Sequence, residues 1–304
     1  MIRLGLIGAG RWGKRYIQTV GSMEGVQLSM ITSNNEHTCE IAPVGCKITK
    51  SWLELLDMRL DGIIIASPSR VQTEIALTAI RRGMPVLLQK PLALDAQGAE
   101  EIQAQTIENN CMVVVDHTQV FNPGYLELKR IALQLGDSMA INSTGGACGP
   151  FDRDIPVLWD WGPHDVAMSL DLAGRIPESI SAEKITKSVS DGLTGEVIKA
   201  HLDFGHGATA DIQFGNIMEK KTRCLQVVTE NSTVTYDDVS RMLVMESGGK
   251  ARKSPVKGAM PLTCVINHFV RGIRGEHNDL GTLNLGVDVV KTLERIDQVI
   301  PKNT

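Results

Sequence analysis

The chain has 304 residues, 42% of them hydrophobic and 22% charged, which suits about two globular domains and excludes collagen-like, coiled-coil and disordered architectures. Thirty-one Lys and Arg against 35 Asp and Glu leave a net charge of −4, and aromatic content is 4%, so neither a phosphate backbone nor stacked bases find a matching surface. The apolar runs are too short to span a bilayer, and Met1–Ile7 lacks the length and cleavage site of a signal peptide. Cys39, Cys46, Cys111, Cys148, Cys224 and Cys264 are scattered without a Cys-x-x-Cys pair, so reduced thiols in the cytoplasm are expected and a zinc site is not.

In chain order, β-prone apolar runs fall at Ile2–Ile7, Val26–Ile31, Gly62–Ala66, Pro85–Leu88 and Met112–Val115. Helical spacing occupies Trp12–Val20, Val71–Arg82 and Ala96–Asn109 between them. These strands are continuously apolar instead of alternating, which predicts a parallel sheet covered by helices on both faces. The character changes after residue 118. Helices are predicted over Gly124–Leu135 and His164–Leu172, the latter with Pro163 as first residue, Gly162 as cap and Asp160 on the entering loop. Glu196–Phe204 and Ala208–Phe214 alternate apolar and polar residues around Gly205-His206-Gly207, which predicts an antiparallel hairpin with one buried face. Further strands are expected at Cys224–Thr229 and Thr233–Tyr236, a polar loop at Glu246–Lys250, and a helix at Leu283–Val299. The fold class is therefore α/β, a doubly wound parallel sheet over residues 1–118. Residues 119–304 follow as an α+β domain, a mixed or antiparallel sheet with helices, with the C-terminal helix free to pack back on the first.

Gly8-Ala9-Gly10-Arg11-Trp12-Gly13 fits G-x-G-x-x-G between the first strand and the first helix. In that context the glycines allow a tight turn, close approach of a pyrophosphate and close helix–strand packing, while the helix N-terminus attracts the anion. The second strand ends Met30-Ile31-Thr32-Ser33-Asn34, with no carboxylate before Glu36 to hold an adenosine ribose. Ser33 does not repel a 2′-phosphate and Arg11 attracts one, so NADP(H) is favoured over NAD(H). Three more stretches follow strand ends, where open α/β sheets bind ligands: Ser67-Pro68-Ser69, Gln89-Lys90-Pro91 and His117-Thr118-Gln119. Lys90 is a candidate proton or hydrogen-bond donor. Trp159-Asp160-Trp161-Gly162-Pro163-His164-Asp165 offers an imidazole with a nearby carboxylate to set its tautomer.

Together these residues resemble the Gfo/Idh/MocA family of NAD(P)-dependent oxidoreductases over nearly the whole chain. The resemblance rests on the glycine turn, Ser67-Pro68, Gln89-Lys90-Pro91, and Asp160 with His164 in a D-x-x-x-H arrangement. It implies an N-terminal Rossmann domain, a C-terminal domain with a large, mainly antiparallel open sheet, and assembly through that sheet as a homodimer or homotetramer. It also implies hydride transfer at a hydroxyl-bearing carbon of a sugar, cyclitol or nucleotide sugar. Lys90 matches the lysine of the family's Glu-Lys-Pro, and Asp160 and His164 match its acid–base pair. Gln89 stands in place of the usual glutamate, and Ser69 and Gln72 in place of the usual asparagine and histidine. The expected site is thus Lys90, His164 and Asp160 for proton transfer. Gly8, Gly10, Arg11, Trp12, Gly13, Ser33, Ser67, Pro68, Gln89 and Lys90 would hold the cofactor, and Gln119, Asn122, Arg153 and Trp159 the substrate. Two other readings fit the same residues: a catalytically silent NAD(P)-binding regulator or scaffold, and a reductase of an imine or enone. His37, His201, His206, His268 and His277 show no ligand spacing, and no metal is expected.

Overall fold

The computed structural model describes residues 1–301 apart from 137, 152–154, 189–193 and 279, and at 187, 188 and 194 the backbone alone. The chain forms two compact units, one of Met1–Thr118 with Met260–Val290, the other of Gln119–Ala259 with the residues from Lys291 onward.

The first unit runs β1 (Ile2–Ile7), α1 (Arg11–Gly21), β2 (Val26–Thr32), β3 (Lys47–Thr49), α2 (Trp52–Leu56), β4 (Gly62–Ile65), α3 (Ser69–Arg81), β5 (Val86–Gln89), α4 (Ala96–Glu108) and β6 (Val113–Asp116). Its strands form one six-stranded sheet in the order β3-β2-β1-β4-β5-β6, every pairing parallel. All four residues of β4, of β5 and of β6 are buried, the physical basis of their unbroken apolar sequence. Local chemistry fixes the helix starts: Ser51 Oγ accepts from Glu54 N to cap α2, and Asp95 Oδ1 accepts from Gly98 N at 2.6 Å to cap α4.

The second unit holds α5 (Pro123–Leu135), β7 (Ala140–Cys148), α6 (Val157–Ala173), β8 (Ser179–Ser188), β9 (Thr194–Asp203), β10 (Thr209–Gly215), β11 (Ile217–Val228), β12 (Ser232–Asp237), β13 (Met242–Ser247) and β14 (Lys250–Pro255). These strands make an eight-stranded sheet, β14-β13-β12-β11-β7-β10-β9-β8, antiparallel except for the β7–β10 pair. The expected hairpin is β9–β10, with Asp203 opposite Thr209 and the alternating residues Ala200, Leu202, Ala210, Ile212 and Phe214 all buried. α6 packs on β7, β9 and β10, and α5 on β12 and β13. The chain closes with α7 (Pro261–Ile273), which belongs to the first unit, and α8 (Gly281–Val299), whose residues are divided between the two.

Two local expectations are corrected. α6 begins at Val157, after Pro156, so Pro163 lies inside the helix and Asp160 in its first turn, not on a loop. Proline removes one helical hydrogen bond and ordinarily ends a helix. α6 nevertheless buries most of its length, Gly162 and Pro163 included, and that burial outweighs the lost bond. The expected loop Glu246–Lys250 is a two-residue turn at Gly248-Gly249, with Ser247 opposite Lys250 in the β13–β14 ladder.

Candidate functional site

In the first unit, Ile7 is in register with Thr32 and with Ile65, Ile65 with Leu88, and Gln89 with Asp116. The ends of β1, β2, β4, β5 and β6 and the segments that follow them therefore lie along one edge of the sheet, and together they carry all ten residues expected to hold the cofactor. The glycine turn is built by backbone contact. Gly8 has φ +98°, donates its N–H to Thr32 O at 3.0 Å, and would place a Cβ 2.6 Å from Ala66 O. A Cβ on Gly13 would lie 2.0 Å from Gly8 O, so helix and turn meet only because that atom is missing. Gly10 is different: a Cβ there meets nothing within 4 Å. Gly10 is also the N-cap of α1, whose start has no side-chain cap and no acidic residue in its first turn. No side-chain cap or first-turn carboxylate therefore competes for the positive end of this 11-residue helix. Arg15 stacks its guanidinium over Trp12, 4.7 Å from the ring centroid, and Arg11 opens the helix. Ser33, just past β2, turns its hydroxyl into its own turn, where it accepts from Asn35 N and Thr38 Oγ1.

Buried polar atoms without a hydrogen-bond partner lie along the same edge: Thr32 Oγ1, Ser67 Oγ, Gln89 Nε2 and both ring nitrogens of His117. Such atoms are costly and in native proteins are paired with protein, water or ligand. The open cradle at Gly10 and this row of orphaned donors and acceptors fit an extended polar cofactor such as a dinucleotide. Gln72 holds the turn after β4 by donating Nε2–H to Ser67 O at 2.6 Å.

Lys90, 3% exposed, follows β5 and joins Pro91 through a cis peptide. Beside it β6 ends in Asp116 and His117, 0% and 1% exposed. Tyr16 of α1 donates to Asp116 Oδ2, and Thr118 Oγ1 donates to Oδ1 at 2.7 Å. Burial raises the Asp116 carboxyl above the usual range, against which those two hydrogen bonds and the positive charge of Lys90 act. Burial, with the adjacent lysine, drops His117 to about 3, so this imidazole is neutral at physiological pH. Asp116 and Tyr16 were not singled out in sequence. The available signal was a carboxylate ending the otherwise apolar Val113-Val114-Val115 strand.

In the second unit, Asp160 and His164 are four residues apart on α6 and therefore share a helix face. The next residue, Asp165, is fully buried toward the sheet. Ser143 Oγ of β7 donates to its Oδ1 at 2.6 Å, and Arg223 of β11 lies 3.7 Å from Oδ2. Burial raises its carboxyl, opposed by Arg223 and Ser143. This cluster, also unflagged by sequence, pins the helix that carries His164. Trp159 is 9% exposed in the first turns of the same helix. Asn122, 2% exposed, caps α5 through Gly124 N, donates to Asp238 Oδ1 at 2.7 Å and to Gln119 Oε1 at 3.4 Å, and accepts from Tyr236 Oη. Arg153 lies outside the described residues. Among the described residues no cluster of His, Cys, Asp or Glu could hold a metal ion, and no helix is long and apolar enough to cross a membrane.

A parallel sheet in this strand order, with a glycine turn opening the first helix, defines the dinucleotide-binding Rossmann class. A model of the oxidoreductase family with NAD-binding Rossmann fold, Gfo/Idh/MocA, matches residues 2–117. The chain is 26% identical over 184 residues to inositol 2-dehydrogenase 2 of Saccharopolyspora erythraea, covering 57% of this chain and 54% of that protein. It is 22% identical over 247 residues to UDP-N-acetylglucosamine 3-dehydrogenase of Acidithiobacillus ferrooxidans, covering 80% and 76%. A crystal structure of a candidate oxidoreductase from Magnetospirillum magnetotacticum MS-1 superimposes with a TM-score of 0.89 at 36% identity, over 97% of this chain and 99% of that one. The chain belongs to the Gfo/Idh/MocA family of NAD-binding oxidoreductases.

Proposed function

We propose that the protein is an NAD(P)-dependent dehydrogenase that transfers hydride between the nicotinamide and a secondary alcohol or ketone of a sugar, cyclitol or nucleotide sugar. The observation that carries this reading is the row of partnerless buried polar atoms beside the open Gly10 turn, which a dinucleotide would satisfy. Relatives named for inositol and for UDP-N-acetylglucosamine support a polyhydroxylated substrate.

The backbone at Gly8, Gly10 and Gly13 would take the pyrophosphate, and Ser67, Pro68 and Gln89 would line the cofactor's path. Arg11 and the absence of a carboxylate at Ser33 support NADP(H) over NAD(H). When bound, the nicotinamide supplies the hydride acceptor or donor. His164 acts as general base toward the substrate hydroxyl, Asp160 orients and charges the imidazole, and Lys90 donates a hydrogen bond to the oxygen as negative charge develops. Gln119, held by Asn122, and Trp159 contact the substrate. The six cysteines, all free, support a reducing cytoplasmic setting, and the broad eight-stranded sheet supports homodimer or homotetramer assembly.

The test is turnover across inositols, pyranoses and nucleotide sugars with both cofactors, for the wild type, Lys90→Ala and His164→Ala. Each substitution should lower kcat by about a hundredfold or more, the range of general acid–base assistance. Near-normal rates in both variants would overturn the mechanism. Tight nucleotide binding without turnover on any substrate would identify a silent binder instead.

A further inference from the structure

We infer that Asn122 is a positioning residue that presets Gln119 as a hydrogen-bond donor, and that the substrate offers Gln119 an oxygen able only to accept: a phosphate, carboxylate or carbonyl. This rests on the reading that Gln119 contacts the substrate, and it narrows the substrate class toward nucleotide sugars and away from simple cyclitols.

Polarity passes along a chain of hydrogen bonds whose first member is unambiguous. Gly124 N–H can only donate, so the Asn122 side-chain atom 2.9 Å from it is the carbonyl oxygen. The one proton of Tyr236 Oη is shared between that oxygen, at 3.0 Å, and Asp238 Oδ1, at 2.8 Å. The other corner of the Asn122 amide is therefore its NH2 group, and both protons are taken, by Asp238 Oδ1 at 2.7 Å and by the Gln119 side chain at 3.4 Å. Only the oxygen of Gln119 can accept, so its own NH2 group is turned away from Asn122. The backbone ties the two residues as well, Asn122 N–H donating to Gln119 O at 3.1 Å across the 3-10 turn Thr118–Phe121. Asn122 is buried and Gln119 half-buried, so the network is fixed at its root and open at its tip. A substrate hydroxyl gains little from a preset donor, because it rotates to donate or accept as its partner requires. An oxygen that can only accept gains in full, and would face a lone pair if Gln119 were reversed.

The test exchanges the two side chains, Asn122→Asp with Asp238→Asn. The new carboxylate at position 122 still caps α5 and accepts from the new amide at 238, but it now also accepts from Gln119, whose amide must reverse. Asn122→Asp alone sets two carboxylates against each other and should lower Tm; the exchange should restore Tm and leave NADPH affinity at the wild-type value. With UDP-N-acetylglucosamine as the probe, which carries phosphate and carbonyl oxygens, KM in the exchanged protein should stay raised by roughly 5- to 150-fold. KM for inositol, which has hydroxyls alone, should rise less. Recovery of KM together with Tm would mark Asn122 as merely structural and overturn the inference, and an equal rise for both probes would overturn the assignment of an acceptor-only oxygen. The preset itself is read without turnover, by NMR of the 15N-labelled full chain, with the side-chain NH2 signals assigned by their loss in Gln119→Glu and Asn122→Asp. In the wild type the Asn122 NH2 should exchange slowly with water and the Gln119 NH2 rapidly, and the exchanged protein should slow the Gln119 signal. The reverse order in the wild type overturns the preset, even if the exchanged protein does not fold. If neither probe is turned over, the proposed function falls and the NMR result alone decides the preset.

Discussion

Gly10→Ala separates cofactor binding from folding more cleanly than other changes in the glycine turn. The backbone at Gly10 has φ −73° and ψ −158°, which alanine adopts without strain, and the added methyl meets nothing within 4 Å. Alanine is a poorer N-cap than glycine, but it restricts the unfolded chain more. The two effects nearly cancel, so stability should change by no more than about 0.5 kcal/mol and Tm by no more than about 2 °C. The same methyl would fill the space through which a pyrophosphate reaches the amides of α1. Losing one charge-assisted hydrogen bond, about 1.5–3 kcal/mol, corresponds to roughly 10–150-fold weaker binding. Fluorescence titration with NADPH and NADH, beside thermal melts of the same samples, measures both quantities. Gly13→Ala is the contrasting control, because its Cβ would sit 2.0 Å from Gly8 O and the helix must move, so Tm should fall as well as affinity. Wild-type affinity in a fully folded Gly10→Ala protein would refute a pyrophosphate at this turn.

Two further outcomes follow from the buried ionisable groups. His117 has a folded-state pKa of about 3, below its unfolded value, so the unfolded chain binds the proton more readily and native stability declines as pH falls below about 6.5. His117→Gln removes that linkage, so urea denaturation at pH 7.5 and pH 5 should show the wild type losing about 2 kcal/mol more than the variant, at 1.36 kcal/mol per pH unit below 6.5; equal losses would contradict a neutral buried imidazole. Asp165→Ala leaves the Arg223 guanidinium, 13% exposed, without its carboxylate and opens space against β7, so urea denaturation should show a loss of about 3–5 kcal/mol; a loss below about 1 kcal/mol would mean that the pair does not anchor α6.

What was legible in sequence depended on whether a residue's local pattern matched its tertiary surroundings. β4, β5 and β6 are covered on both faces, so Gly62–Ile65, Val86–Gln89 and Val113–Asp116 advertise themselves as apolar runs, and the glycine turn is visible because backbone contact there excludes any side chain. β7 carries no such pattern: Ala140–Cys148 contains Asn142, Ser143, Thr144 and two glycines, and its place in the middle of the second sheet comes from partners on both sides. β14 is an edge strand of Lys250, Arg252 and Lys253, mostly exposed, where charge guards the edge and erases the hydrophobic signal. The start of α6 was hidden by Pro163, whose local message is to begin a helix and whose actual position is set by burial. Asp116 and Asp165 were missed for a related reason, since a carboxylate in sequence reads as surface until its neighbours are known.

Both clusters bury charge, yet they answer differently to the question of what such burial is for. Around Asp165, Ser143 donates to one oxygen, while Arg223 lies 3.7 Å from the other, so Asp165 Oδ2 and Arg223 Nη1 also lack a hydrogen-bond partner, but their opposite charges face each other within one sheet-and-helix layer. The effect of that charge pair is to fix α6 against β7 and β11. At the end of β5 and β6 the accounting does not close. Tyr16 and Thr118 satisfy Asp116, but both nitrogens of His117 and the amide nitrogen of Gln89 stay without partners in a buried environment. Unmet hydrogen-bonding capacity costs about 1–3 kcal/mol per buried group. A fold under no other constraint would replace these groups with apolar ones. A polar ligand that met these groups would recover that free energy on binding. That row of partnerless atoms on uncharged side chains is what supports the proposed dinucleotide site at the carboxyl edge of the parallel sheet.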